Sequence, residues 1–262
     1  MIQVADRPAP VQYVDLETAK AASGVRLVAT NAVPSPWGEA AKALFRIAKV
    51  PVLCVRATRG DTAVREWMQT HNVPAVFCDA EPVRSVWSQI VALASRLAGP
   101  GVLLPIEIDR RLETIGWIHE IAGEDGLGWS ARLLMIHASF ASDGKRGFPL
   151  PVAQYLAAKY GYATDRIEAA KARSLEVLAA LAGRLGDAPY FHGDKPGALD
   201  AYSATFLTPA THIAPEDCPN LSPAMRAAFG TAADELSPHV AAALIAHRNR
   251  MFEHHLGWPI EI

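Results

Sequence analysis

Cysteine is scarce in this sequence. Cys54, Cys78 and Cys218 are the only three in 262 residues, and no two of them stand in a C-x-x-C pair. Neither a zinc site nor a dithiol redox centre is signalled, and no metal is expected. Cys54 and Cys78 lie in apolar runs, where cysteine behaves as a small hydrophobe. An excess of one charge is missing too. Lys and Arg number 25 against 27 Asp and Glu, with no basic run, which argues against a nucleic-acid partner or an anionic membrane surface. No uncharged apolar stretch reaches the roughly 18 residues of a membrane span. The opening "MIQVADRPAP" carries an acid and prolines where a signal peptide needs a basic end and an apolar core, so a cytoplasmic protein is expected. Internal repeats and low-complexity segments are lacking as well. What remains is half apolar and a fifth charged, enough for one large domain or two small ones.

From Gly24 the pattern alternates. "VRLVAT" (Val25 to Thr30) is short, β-branched and apolar, and predicts a strand. "VPSPWGEAAKALFRIAKVPVLCV" follows. Ser35 suits a helix N-cap and Pro36 the first helical position. Trp37, Ala40, Ala41, Leu44, Ile47 and Ala48 recur at helical spacing and predict one buried stripe. Pro51 stops that helix and "VLCV" starts a second strand. Asp61 caps a second predicted helix, "TAVREWMQTH", and "VPAVFC" (Val73 to Cys78) is a third strand headed by proline. A short fourth strand is expected near Pro82 to Arg84, and "VWSQIVALASRL" is a third helix.

After Pro105 the strand signals vanish. Helices are predicted near Arg110 to Ala122, Gly128 to Ala141, Thr164 to Leu185, Leu199 to Leu207 and Ser237 to Leu256, the last with a serine-proline start like that at Ser35. "FASDGKRGFPLP" (Phe140 to Pro151) predicts a long loop. The switch to helices sets a boundary between Gly99 and Pro105. The expected organisation is an extension over 1–24 with one short helix ("LETAKAA"), an α/β unit over 25–99 and an all-helical unit over 105–262.

A small βαβαββα unit followed by a helical unit resembles the glutathione transferase superfamily. "SPWGEAAKALF" is similar to that family's serine-proline helix start, and "NVPAVF" to its valine-proline, where the family has a cis proline. "PVRSVWSQIVALASRL" is similar to its third helix, and "YFHGDKPGALDAYSATFL" to its C-terminal helix start. "IHEIAGEDGLGWSARLL" and "HRNRMFEHHLGWP" resemble bacterial transferase-like proteins of no assigned class. The resemblance implies a thioredoxin-like N-terminal domain, an all-α C-terminal domain and a homodimer. It also implies glutathione as co-substrate and a small apolar electrophile as partner. Ser35 would then donate to the glutathione thiolate, with the helix end lowering the thiol pKa. The capping role stays open beside that one. Val73, ahead of a cis Pro74, would hold the peptide backbone of glutathione. Ser85 would meet its γ-glutamyl end, and Trp37, Trp87 and Trp129 would supply apolar walls.

One departure stands out. The family places Glu/Gln-Ser before its third helix, and here the chain reads Pro82-Val83-Arg84-Ser85-Val86-Trp87-Ser88. Counting back from Ile90 puts Val86-Trp87 on the motif; counting forward from Pro82 puts Ser85-Val86 there. Neither register supplies the acid. Ser85 can still cap that helix and meet a carboxylate, and Arg84 can pair with one. The missing acid leaves a second possibility, a binding or scaffolding protein on the same fold without turnover.

Elsewhere, His119, Glu120 and Glu124 stand close together near Trp117 and Trp129. They can do acid-base work beside a second substrate, or serve as surface and structural residues, since successive helix positions face different ways. "GEDGLG" is a turn between helices, and Asp200 in "GALD" is half of a capping box and a folding element. His247, His254 and His255 gather near the end, on a helix face where adjacent histidines meet one metal poorly.

Overall fold

A computed structural model describes residues 11–262. In chain order its first elements are β1 (Val11–Tyr13), α1 (Leu16–Ala21), β2 (Val25–Thr30), α2 (Pro36–Ile47), β3 (Val52–Ala57), α3 (Thr62–Met68), β4 (Ala75–Cys78) and α4 (Trp87–Ala98). The sheet order is β1-β3-β2-β4, with β1 and β2 parallel to β3 and β4 antiparallel to β2. β2 is central, and five of its six residues are buried, Arg26 among them. Pro36 opens α2, and Asp61 Oδ1 caps α3 by accepting from Val64 N at 3.0 Å.

Two expectations change here. The expected extension is partly sheet: Val11 pairs with Val52 and Tyr13 with Cys54, so β1 covers the outer edge of β3. A three-residue edge strand carries too little alternation to show in sequence. Residues 1–10 of that extension lie outside the described residues. The short strand expected near Pro82 to Arg84 is a single antiparallel bridge, Val76 to Arg84.

The helical unit comprises α5 (Ile108–Ala122), α6 (Leu127–Ala141), α7 (Leu150–Tyr160), α8 (Ile167–Leu185), α9 (Ala198–Phe206), α10 (Pro223–Leu236) and α11 (Ala242–Met251). α7 was not expected. It starts inside the segment predicted as loop, with Pro151 at its first turn, where no amide hydrogen is needed. α10 was not expected either, because its buried side is mostly small: Ala228, Thr231, Ala232 and Ala233 beside Phe229 and Leu236. The single helix expected from Ser237 to Leu256 is a 3₁₀ turn at Ser237–His239, then α11, then a π turn at Phe252–Leu256. Ser237 closes α10 and does not cap a new helix. Among the described residues no helix is long and apolar enough to cross a membrane.

The chain's last described residues return to the first unit. Ile260 N first donates to Asp217 O, within the helical unit, at 2.7 Å. Lys42 Nζ and Tyr13 OH donate to Glu261 O at 2.6 and 3.0 Å, and Arg56 Nε donates to Ile262 O at 3.0 Å. Lys42 is almost fully buried and pairs with Glu39 at 2.8 Å. Burial opposes its ammonium, but Glu39 and Tyr13 outweigh that, and its pKa stands above the ordinary lysine value.

The helical core holds one buried carboxylate. Asp200 Oδ2 accepts from Gly197 N at 2.8 Å, while Oδ1 accepts from Phe191 N at 3.0 Å and lies 2.9 Å from His247 Nε2. Both Asp200 and His247 are fully buried. Removing the carboxylate strands two amides and an imidazole, and truncating one partner of such a group costs about 3–5 kcal/mol. Asp200→Ala is therefore expected to lose about that much in urea unfolding, with Asp200→Asn losing clearly less because it keeps an acceptor. Equal losses from both variants would show that an amide acceptor does not replace the carboxylate.

Candidate active site

Three segments meet at one end of the sheet. Val28 in β2 lies opposite Ala75 in β4, so Val73 and Pro74 stand beside the end of β2, from which the chain passes to Ser35. The Val73-Pro74 peptide is cis. The Val76–Arg84 bridge sets Ser85 opposite Ala75, so the start of α4 joins the same corner. The sequence-predicted Ser35, Val73, Pro74 and Ser85 are thus gathered.

Ser35 is the N-cap residue of α2 and half-buried, yet its side chain makes no capping hydrogen bond. Its hydroxyl stands at a helix end whose first amides lack intrahelical acceptors. Ser85 behaves otherwise than expected. Val86 is the N-cap of α4, without a side-chain cap, and helix starts at Trp87. Ser85 therefore lies one residue outside, with its hydroxyl 3.3 Å from that of Thr70. Thr70 carries no sequence signal for this site, since only the fold brings it there.

The indoles of Trp37 and Trp87 cross to the helical unit. Trp37 Nε1 donates to Ala122 O at 3.0 Å, and its ring meets Phe206 edge-on at 4.9 Å. Trp87 stands edge-on to Tyr202 at 6.3 Å and to His119 at 6.1 Å. Trp129 Nε1 donates to Tyr160 O at 3.1 Å, and its ring lies 4.6 Å from that of Tyr160, which also faces Trp37 at 6.3 Å. Tyr202 and Phe206 stack at 5.7 Å. One aromatic seam runs along the boundary between the units. Its tryptophans are legible in the sequence, whereas Tyr160, Tyr202 and Phe206 join it only through the fold; the i, i+4 spacing of Tyr202 and Phe206 is their one sequence signal. Burial pushes the Tyr202 phenol pKa well up, which suits an apolar wall and not an acid.

His119 is mostly exposed and its Nδ1 lies 4.0 Å from Glu120 Oε1. Glu120 is engaged by Arg173 from α8, and Glu124 is exposed. These groups do not converge on Ser35. Two cavities, of about 620 and 1240 Å³, lie elsewhere, and neither is lined by Ser35, Pro74 or Ser85.

The fold has solved counterparts. A glutathione transferase family member from Pseudomonas fluorescens Pf-5, with two glutathione bound, superposes with a TM-score of 0.54 at 17% identity, over 86% of this chain and 92% of that one. A glutathione S-transferase from Methylobacillus flagellatus KT, with GSH bound, gives 0.56 at 11%, over 88% and 95%. A possible glutathione S-transferase from Rhodopseudomonas palustris gives 0.55 at 14%, over 92% and 100%. The chain has the glutathione transferase fold. No protein-family model matches it, and no curated protein matches it. On this fold the first unit is the thioredoxin-like domain and the second the all-α domain, and the aromatic seam lies where the two meet.

Two glycines let the seam close. A Cβ on Gly126 would stand 2.6 Å from Glu120 O, so the turn between α5 and α6 admits no side chain there. A Cβ on Gly128 would stand 2.4 Å from the Phe206 ring and 3.0 Å from Trp37. Gly to Ala inside a helix ordinarily gains up to about 1 kcal/mol. Gly128→Ala is expected to reverse that sign and lose about 1–3 kcal/mol by overpacking, read as a lowered midpoint in denaturant. A gain in stability would mean that the seam is looser than described.

Proposed function

We propose that this protein binds glutathione at the corner formed by Ser35, Val73-Pro74 and the start of α4, and directs its thiolate at a small apolar electrophile. The observation that carries this is the Ser35 hydroxyl: it occupies the cap position of α2 without capping it, while the Val73-Pro74 bond, at the same end of the sheet, is cis. A hydroxyl donor and a helix N-terminus both favour the thiolate over the thiol, and the thiolate is the nucleophile. The main chain of Val73 would pair with the cysteinyl part of glutathione. The uncapped first-turn amides of α4 and the Ser85 hydroxyl would take its γ-glutamyl carboxylate. Trp37, Trp87 and Trp129 would wall the second substrate, with His119 at its rim.

The chemistry needs no further group. The thiolate pair forms a carbon–sulfur bond while a leaving group departs with its own pair; with an activated alkene, the carbanion formed takes a proton from water. Isomerisation or thiolysis through glutathione would use the same parts. Bound glutathione in the structures from Pseudomonas fluorescens and Methylobacillus flagellatus supports the choice of co-substrate. A homodimer is part of the proposal. Ile108 and Leu112, one turn apart on α5, are 71% and 65% exposed, an apolar face that a second copy would cover.

A binding or scaffolding protein without turnover is the second reading, favoured by one observation: no acidic side chain caps α4, and Ser85 is shared with Thr70. Thermal-shift titration separates the two. Glutathione at ten times its Kd would stabilise the fold by about 1.4 kcal/mol, and no shift at millimolar glutathione would favour the scaffold. If it binds, Ser35→Ala should abolish the ultraviolet absorbance of the bound thiolate while leaving the fold intact. Unchanged absorbance would return Ser35 to a structural role. Light scattering should give twice the chain mass, and Leu112→Asp the mass of one chain.

A further inference from the structure

Three Lys or Arg side chains are buried among the described residues: Arg26, Lys42 and Arg132. The first two are engaged. Arg26 donates to Gly24 O at 2.7 Å and to Asp79 O at 3.1 Å, and Lys42 pairs with Glu39. Arg132, on α6, is only 8% exposed and has neither a hydrogen bond nor an ion pair among the described residues. Its guanidinium lies instead against two buried rings, 5.3 Å from the centre of Phe148 and 6.0 Å from that of Phe229. Aromatic faces attract a cation, but they leave its five N–H donors without acceptors. Among the described residues, the side-chain polar atoms sealed from solvent without a partner belong to Arg26, Arg184, His192, Ser203 and His247. The Arg132 nitrogens are not among them, so the little surface this residue keeps includes its guanidinium. A buried cation without an acceptor is costly, and here it faces an opening that an anion can fill.

Its place is beside the aromatic seam. Arg132 follows Gly128 by one turn of α6, about 6 Å, on the stripe where the absent Cβ leaves room for Trp37. Trp129 stands three residues before it. Lys159, on α7, is a second cation at this place. Its ammonium lies over the Tyr160 ring at 5.9 Å, and that ring also faces Trp37 and Trp129. Partial burial, and then the Arg132 charge, hold the Lys159 pKa below the ordinary lysine value. Tyr155, one turn earlier on the same face of α7, has Arg59 of the first unit over its ring at 5.2 Å. Arg59 follows β3, which is parallel to β2 and ends beside it. This face of α7 therefore looks across to the Ser35 end of the sheet.

We propose that Arg132 selects a second substrate that carries one carboxylate, with the apolar body along Trp37, Trp129 and Tyr160 and the reactive carbon toward Ser35. This rests on the thiolate reading above and narrows its electrophile to a singly charged acid. The guanidinium fork matches a carboxylate edge to edge. One deep cation balances one negative charge, and Lys159, at the exposed rim, draws the acid in. A phosphate dianion would bring a second charge that nothing at that depth balances.

Calorimetry on the full chain with 4-chloro-3-nitrobenzoate and its neutral amide, 4-chloro-3-nitrobenzamide, tests this. Glutathione is left out, so no reaction intervenes. The acid should bind about tenfold tighter than the amide or better. Arg132→Met keeps an apolar stem against Phe148 and Phe229. It should remove that preference while leaving the thermal midpoint unchanged or raised, because it deletes an unbalanced buried charge. Lys159→Gln should weaken the acid by a smaller factor, about two- to fivefold. With glutathione added, the thiolate forms a bond to the ring carbon and chloride leaves with its electron pair. The acid-to-amide ratio of kcat/KM, each value divided by its uncatalysed rate, should then follow the binding ratio. Equal affinity for acid and amide, no binding of either, a turnover ratio of one, or an Arg132→Met chain that still prefers the acid would each overturn the assignment. A chain that binds the acid through Arg132 but shows no thermal shift with glutathione would uphold the anion site and refute the thiolate corner instead.

Discussion

The hydrogen bond from Trp37 Nε1 to Ala122 O is the interaction on which the site depends. Ala122 ends α5, so its carbonyl is among the last four that a helix leaves without an internal partner. The indole supplies the missing donor from the first turn of α2, two residues beyond Ser35. Such a bond is worth about 1 kcal/mol net, and the edge contact with Phe206 adds roughly 0.5–1.5. The larger effect is positional. The bond fixes where the helical unit sits over the end of the sheet, and with it the distance between Ser35 and any wall above it. The glycine turn that ends α5 and the missing Cβ of Gly128 are conditions for that contact.

The site was legible in sequence where a single residue has a local meaning. Ser35-Pro36 marks a helix start whatever surrounds it, and Pro74 marks a strand start, where no amide hydrogen is owed to the sheet. Asp61 caps the helix that follows it for the same local reason. Legibility ended where a residue's meaning depends on a distant partner. Ser85 suits a cap because serine caps helices; the helix starts one residue later than that, with Val86 as its cap, and the hydroxyl turns to Thr70. α7 and α10 were missed because loop-forming residues precede the first and small residues carry the buried side of the second. β1 was missed because three edge residues are explained only by the strand they cover.

That edge strand has a second consequence. Tyr13 brings a phenol to the buried Lys42, and the returning tail brings the carbonyl of Glu261. A buried ammonium is tolerable only if its hydrogens are all engaged, and here Glu39, Tyr13 and the Glu261 carbonyl engage them. Burial pushes the Glu39 carboxyl upward against the pull of Lys42, so the pair is held by its surroundings as much as by its own attraction. The polar face of α2 thus ties both ends of the described chain to the first unit, while its first turn ties that unit to the helices.

α2 therefore has two ends of opposite electrical character. The macrodipole places partial positive charge at Ser35 and partial negative charge beyond Ile47. A thiolate at the first end is favoured by the backbone itself, so few charged side chains are needed there, and none of the residues gathered at that corner is a lysine or arginine. At the second end the pole favours cations, and Arg46 stands in the last turn, where it faces Glu261 at 3.8 Å.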